Sequence, residues 1–72
     1  MQKKNKIKIK LNGKIIQVNK GINLAILINK LKFSLNKIAI EKNNLIVEKK
    51  KIKRIFLKSN DKIEIVHFIG GG

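Results

Sequence analysis

A chain of 72 residues, 43% of them apolar, makes one small domain near the lower size limit for folding alone, held by a hydrophobic core. The absence of Cys excludes disulfides, thiolate metal sites and a catalytic thiol, and one His is too little for a protein-only zinc site. Eighteen basic residues against four acidic ones, a formal +14, raise nucleic acid or an anionic surface as partners, and no apolar run approaches the ~18–20 residues of a membrane span.

The first six residues, Met1-Gln2-Lys3-Lys4-Asn5-Lys6, are basic, and the chain then alternates through Ile7-Lys8-Ile9-Lys10-Leu11. Strict alternation predicts a strand with one buried face, not the continuous apolar stretch of a signal peptide. A protein in a soluble, reducing compartment is expected. Asn12-Gly13 is a hairpin signal, because both central residues of the tight turn need positive φ. Ile15-Ile16-Gln17-Val18 is the return strand. After the turn Asn19-Lys20-Gly21, Asn23 is placed to cap a helix. Leu24, Leu27, Ile28 and Leu31 then recur on one helical face. The spacing predicts a helix from about Leu24 to Leu31, with Ile26 off the stripe and Phe33 and Leu35 filling space beneath its end.

Ile38-Ala39-Ile40-Glu41 reads as a third strand, Lys42-Asn43-Asn44 as a turn and Leu45-Ile46-Val47 as a brief fourth strand. Glu48 to Lys58 reads as a loop or short helical turn pinned by Ile52, Ile55, Phe56 and Leu57. Ser59-Asn60-Asp61 turns again, and Ile63-Glu64-Ile65-Val66-His67-Phe68 is the last strand. One helix covers one face of a small sheet. The compact arrangement is an α+β fold: a mixed sheet of four to five strands curled around that helix, the last strand parallel to the first. This is the β-grasp, or ubiquitin-like, architecture. Residues 1–68 are expected to form the domain and 69–72 a flexible tail.

The tail Gly70-Gly71-Gly72 carries the chemistry. Terminal glycines are often frayed ends, but these directly follow an apolar strand. Glycine lacks a Cβ, so its backbone can enter a slot too narrow for any side chain. Three extended residues reach on the order of 10 Å, which carries a carboxylate clear of the domain. Ordering the tail on binding costs roughly 1–2 kcal/mol per residue, so contacts made by the domain must offset that.

The run Ile63-Glu64-Ile65-Val66-His67-Phe68-Ile69-Gly70-Gly71-Gly72 resembles the ending of the ThiS family, the sulfur carriers of thiamine biosynthesis. Leu11-Asn12-Gly13-Lys14, Gly21-Ile22-Asn23-Leu24 and Ile38-Ala39-Ile40-Glu41-Lys42-Asn43 resemble it upstream. The chain departs at Glu48-Lys49, where many members have Pro-Arg, and at Asn60-Asp61, where Gly-Asp is common. The resemblance implies that an E1-like enzyme adenylates Gly72 with ATP. A persulfide charged by a cysteine desulfurase then displaces AMP, and the Gly72 thiocarboxylate gives its sulfur to thiazole synthase. It implies no catalytic side chain and no cofactor on this chain; ATP and Mg²⁺ belong to the activating enzyme. The setting it implies is cytoplasm or, for a plastid-encoded chain, stroma.

Other residues compete with the tail as candidates. His67 as a general base has no nucleophile to serve, so an ordinary strand side chain is the better reading. Glu64 and Asp61 read as surface and turn residues. The last strand is apolar on both faces, so either Val66 and Phe68 form a partner patch or the strand is buried on both sides. The two readings stand level, and Lys49 is a further candidate for partner contact. The nearest rival function is a β-grasp carrier for molybdopterin synthesis or tRNA thiolation; the short length and the Ile65-Val66-His67-Phe68 ending favour thiamine. A small basic nucleic-acid-binding module is the rival from another class. Against it, the bases are Lys with one Arg, at position 54, and aromatics are 4%, whereas nucleic-acid readers use Arg forks and stacking rings. Lys, Ile and Asn all have AT-rich codons, and mutational pressure alone places Lys on exposed positions.

Overall fold

The computed structural model describes residues 5–68. Strand β1 (Lys6–Leu11) turns into β2 (Lys14–Asn19), helix α1 (Leu24–Lys30) follows, and β3 (Ile38–Lys42), β4 (Leu45–Ile46) and β5 (Lys62–His67) complete the sheet. Two 3-10 segments, Leu35–Lys37 and Lys49–Arg54, join these elements. The sheet order is β2-β1-β5-β3-β4. Only β1 and β5 pair in parallel; the other three pairings are antiparallel. This is the mixed five-stranded β-grasp sheet with one main helix.

Alternation does the sorting. Ile9, Val18, Ile38, Ile40, Ile63 and Ile65 point inward and are buried. They meet Leu24, Leu27 and Ile28 from α1, each such side chain contributing roughly 1.5–3 kcal/mol on burial. Ile26, off the helical stripe, is exposed. Val47, Ile52 and Leu57 close the end of the core. Phe56 does not join them. It is exposed, because its backbone bridges Asn23 and turns its side chain outward. Phe33 and Leu35 pack against the core under the end of α1, as expected.

The turns use Asn where Gly is common. Asn12 (φ 49) and Gly13 (φ 85) make the first hairpin turn, and Asn43 (φ 52) and Asn44 (φ 71) repeat the pattern between β3 and β4. Two successive positive-φ residues match the twist of the strands they join. Asn60 (φ 73) is a single positive-φ residue in the turn that leads into β5. Asn23 caps α1, its Oδ1 accepting the Ile26 N–H at 2.8 Å.

Asp61, expected at the surface, is 8% exposed. Its carboxylate is consumed internally: Oδ2 accepts the Lys58 N–H at 2.8 Å and Oδ1 accepts Asn43 Nδ2 at 3.0 Å. Asn43 Oδ1 in turn accepts the Lys62 N–H at 2.8 Å. These bonds tie the start of β5 to the β3–β4 turn.

Helix α1 stops one residue earlier than its apolar spacing suggests, and Leu31 is its C-cap. Lys32 then takes φ 62, the Lys32 N–H donates to Asn29 O at 3.0 Å and the Phe33 N–H to Ile28 O at 3.3 Å. That is the Schellman pattern, in which glycine is favoured at the left-handed position. A Lys there carries roughly 1–2 kcal/mol of Cβ strain. Lys32→Gly is therefore expected to stabilise the domain by about 1 kcal/mol, raising the melting midpoint by about 4–8 °C for a chain of this size. A thermal melt followed by circular dichroism checks it.

Candidate functional site

The site is built around the end of β5. This strand runs between β1 and β3, so its backbone is held on both sides. On the β1 side the Lys10 N–H donates to Asp61 O and the Asn12 N–H to Ile63 O, both at 2.9 Å. β1 ends at Leu11, and beyond that point a side chain takes over. Asn12 Oδ1 accepts the Ile65 N–H at 2.8 Å while Asn12 Nδ2 donates to Ile65 O at 3.3 Å. On the β3 side the register runs from Lys42↔Ile63 to Ile38↔His67, and the Phe68 N–H donates to Lys37 O at 3.0 Å. The chain is thus anchored to the sheet through Phe68, the last described residue. Gly70, Gly71 and Gly72 lie outside the described residues.

The two faces of β5 differ. Ile63 and Ile65 lie in the core, whereas Val66 and Phe68 are 59% and 58% exposed. The outer face of this central strand is open, because the helix lies on the other side. Lys49, at the start of the second 3-10 segment, places its Nζ 5.3 Å from the centroid of the Phe68 ring, within cation–π range. His67 stacks at a tilt on Phe33, ring centroids 5.0 Å apart. Its neighbour is a phenyl ring, which suits a packing role beside the strand end. Among the described residues, no group of three or more His, Cys, Asp or Glu side chains could hold a metal ion.

The outer face carries a feature that sequence reading missed. Glu41 on β3 and Glu64 on β5 are paired across the strands, and Ile46 on β4 lies opposite Glu41. Like charges directly opposite each other weaken a sheet. Lys62 Nζ approaches Glu64 at 3.8 Å; among the described residues no ion pair reaches Glu41. The signal lay in the register: the positions are 23 apart in the chain and meet only once β3 and β5 are aligned.

Comparison with known proteins bears on this arrangement. Residues 4–72 match the model of the ThiS family. A thiazole synthase of Magnetococcus marinus is 39% identical over 66 residues, which span 92% of this chain but only 20% of that protein. The uncharacterized protein ycf40 of Trieres chinensis is 40% identical over 62 residues, covering 86% of this chain and 85% of its own. The crystal structure of the thiamine biosynthesis protein ThiS from Geobacter metallireducens superposes with a TM-score of 0.80 at 26% identity, covering 92% of this chain and all of that one. No helix among the described residues is long and apolar enough to cross a membrane.

Proposed function

Because the chain belongs to the ThiS family of thiamine biosynthesis, we propose that it carries sulfur on the carboxylate of Gly72. The observation that carries this reading is the family match itself, which runs through residue 72 and so includes the three glycines. The anchoring of β5 through Phe68 supports it, since a rigid strand next to the tail gives a partner a fixed body to grip.

The chemistry proceeds in balanced steps. A carboxylate is a poor electrophile, so one Gly72 oxygen attacks the α-phosphorus of ATP and pyrophosphate leaves. The acyl adenylate now has a good leaving group. A persulfide sulfur attacks the carbonyl carbon and AMP departs. A thiol of the partner then cleaves the sulfur–sulfur bond of this acyl disulfide, forming a protein disulfide and releasing the thiocarboxylate. This chain contributes the carbonyl and a side-chain-free approach to it; the E1-like adenylating enzyme contributes ATP, Mg²⁺ and the catalytic groups. The chain is a co-substrate and not an enzyme.

Thiazole synthase is the proposed acceptor of the sulfur. A related domain occupies a fifth of the Magnetococcus marinus thiazole synthase, and the Paramagnetospirillum magneticum thiazole synthase shows the same proportion at 33% identity. Carrying both units on one chain raises their effective concentration without new contacts, which suits a donor and its acceptor. The proposed setting is cytoplasm or plastid stroma. The patch of Val66 and Phe68, with Lys49 beside it, is the proposed rim that meets partners as the tail enters.

Intact-mass measurement tests the proposal. The chain is incubated with an E1-like adenylating enzyme, ATP, a cysteine desulfurase and cysteine. The expected product is heavier by one oxygen-for-sulfur exchange, located on Gly72 by fragmentation. An unchanged mass under conditions that load a known ThiS protein would sink the reading.

A further inference from the structure

We propose that Asn12-Gly13 is a self-modification site, at which Asn12 deamidates to aspartate or isoaspartate in chains whose Asn12–Ile65 bonds have opened. Of the nine asparagines, Asn12 alone is followed by glycine. The reaction uses the backbone nitrogen one residue on as its nucleophile, and a residue without a Cβ leaves that nitrogen unhindered. Asn12 and Gly13 are both exposed, so water reaches them. A Cβ built on Gly13 would meet nothing within 4 Å. Among the described residues, the Gly13 N–H donates to no backbone carbonyl. The nucleophile is therefore free, but the electrophile is held. Asn12 Oδ1 accepts the Ile65 N–H at 2.8 Å and Asn12 Nδ2 donates to Ile65 O at 3.3 Å. With both ends of the amide engaged on β5, Cγ cannot swing toward the Gly13 nitrogen, and ring closure needs that approach. The gate is the β5 edge itself.

The steps balance without any reactant but water. The Gly13 nitrogen gives up its proton to solvent and bonds to Asn12 Cγ. The Cγ–Nδ2 bond breaks, Nδ2 takes up a proton and ammonia leaves a five-membered cyclic imide. Water then opens the imide. Cleavage at the side-chain carbonyl gives aspartate; cleavage at the main-chain carbonyl gives isoaspartate, with the backbone rerouted through an added methylene. Either product removes the donor to Ile65 O and sets an acceptor oxygen in its place, and isoaspartate also displaces the turn. The β1 edge of β5 is then short of a partner. Opening permits the modification, and the modification keeps the edge open. A chain therefore keeps a permanent chemical record of the times its last strand came loose, whether or not it carries sulfur.

Incubation of the full chain at one mildly alkaline pH, in buffer and in unfolding urea, tests this, with peptide mapping by mass spectrometry. In urea Asn12 should be modified ahead of the other asparagines. In buffer its rate should fall at least about tenfold, because only opened chains react. Ile65→Val leaves Asn12-Gly13 intact but loosens β5 from the core. It should speed the reaction in buffer about two- to tenfold and leave the urea rate unchanged. The product, lower by one positive charge, separates on cation exchange, and its Ile65 amide should exchange faster than that of the unmodified chain. Earlier modification of another asparagine in urea overturns the proposed site. Equal rates in buffer and urea, or an Ile65→Val chain that reacts no faster in buffer, overturn the gate. An Ile65 amide as protected in the product as before overturns the effect on β5.

Discussion

Deleting Gly72 is expected to abolish sulfur loading and to leave the folded domain unchanged. The deletion still leaves a terminal carboxylate, now on Gly71, so the chemistry is not lost for want of a functional group. It is lost for want of reach. One residue removed withdraws the carboxylate by about 3.3–3.6 Å, and a misplacement of about 1 Å at a reacting centre can cost 10²-fold in rate. In the proposed reaction the α-phosphorus of ATP is held by the adenylating enzyme, while the carrier domain is held by its own docking contacts. Neither can move to close the gap without giving up binding. The expected result is thiocarboxylate formation reduced below about one percent of the unsubstituted chain. Gly72→Ala keeps the length and adds a Cβ next to the reacting carbonyl, so it should lie between the two. The fold is indifferent because the buried core ends with Ile65 and the last described backbone bond is made by Phe68. Equal melting midpoints and unequal intact-mass conversion are the expected pair of readings. Continued loading of the shortened chain would show that the Gly72 carboxylate is not the group that carries sulfur.

What the sequence made legible was local. The first hairpin follows from Asn12-Gly13 between alternating strands, and the helix from a capping Asn23 ahead of an apolar stripe. The Asn43-Asn44 turn follows from the tolerance of Asn for positive φ. In each case the determining contacts lie within a few residues of each other. The glycine tail lies outside the described residues, and its reading rests on composition and family resemblance. The rest depended on contacts between residues far apart in the chain. Asp61 could not be placed in the interior from sequence, because the groups that satisfy it come from Lys58 and from Asn43, and the second is 18 positions away. Phe56 looked like an anchor by its neighbours, yet its backbone bridge to Asn23 turns it to solvent. The facing of Glu41 and Glu64 requires the antiparallel register of two strands, and no period in either strand announces it.

Asn12 shows the same limit most sharply, and its replacement carries the largest expected effect on stability. Sequence marks it only as a turn residue. In the fold its side chain extends the β1 edge by one more backbone-like rung, giving β5 both an acceptor and a donor at Ile65, 53 positions away. Asn12→Ala removes both bonds and leaves a part-buried N–H and C=O without that partner, at about 1–3 kcal/mol for such groups. The Cβ at φ 49 is present in Asn12 itself, so the backbone strain carries over to the alanine variant unchanged. The expected loss is about 1–3 kcal/mol, a substantial part of the roughly 4–11 kcal/mol available to a domain of this size. Asn12→Gly separates the contributions: it relieves the backbone strain but not the lost bonds, so it should be destabilised less than the alanine variant and still more than the unsubstituted chain. Urea unfolding gives the ordering, and hydrogen exchange gives the location. The Ile65 amide should exchange faster in both variants, well ahead of the Ile40 and Leu27 amides. Because β5 leads directly into the glycine tail, weakening its β1 edge lowers the fraction of chains that present the tail from a rigid body. Sulfur loading should therefore fall with the folded fraction as temperature rises and match the unsubstituted chain where both are fully folded. An Ile65 amide as protected in Asn12→Ala as in the unsubstituted chain would mean that other contacts hold β5 in place.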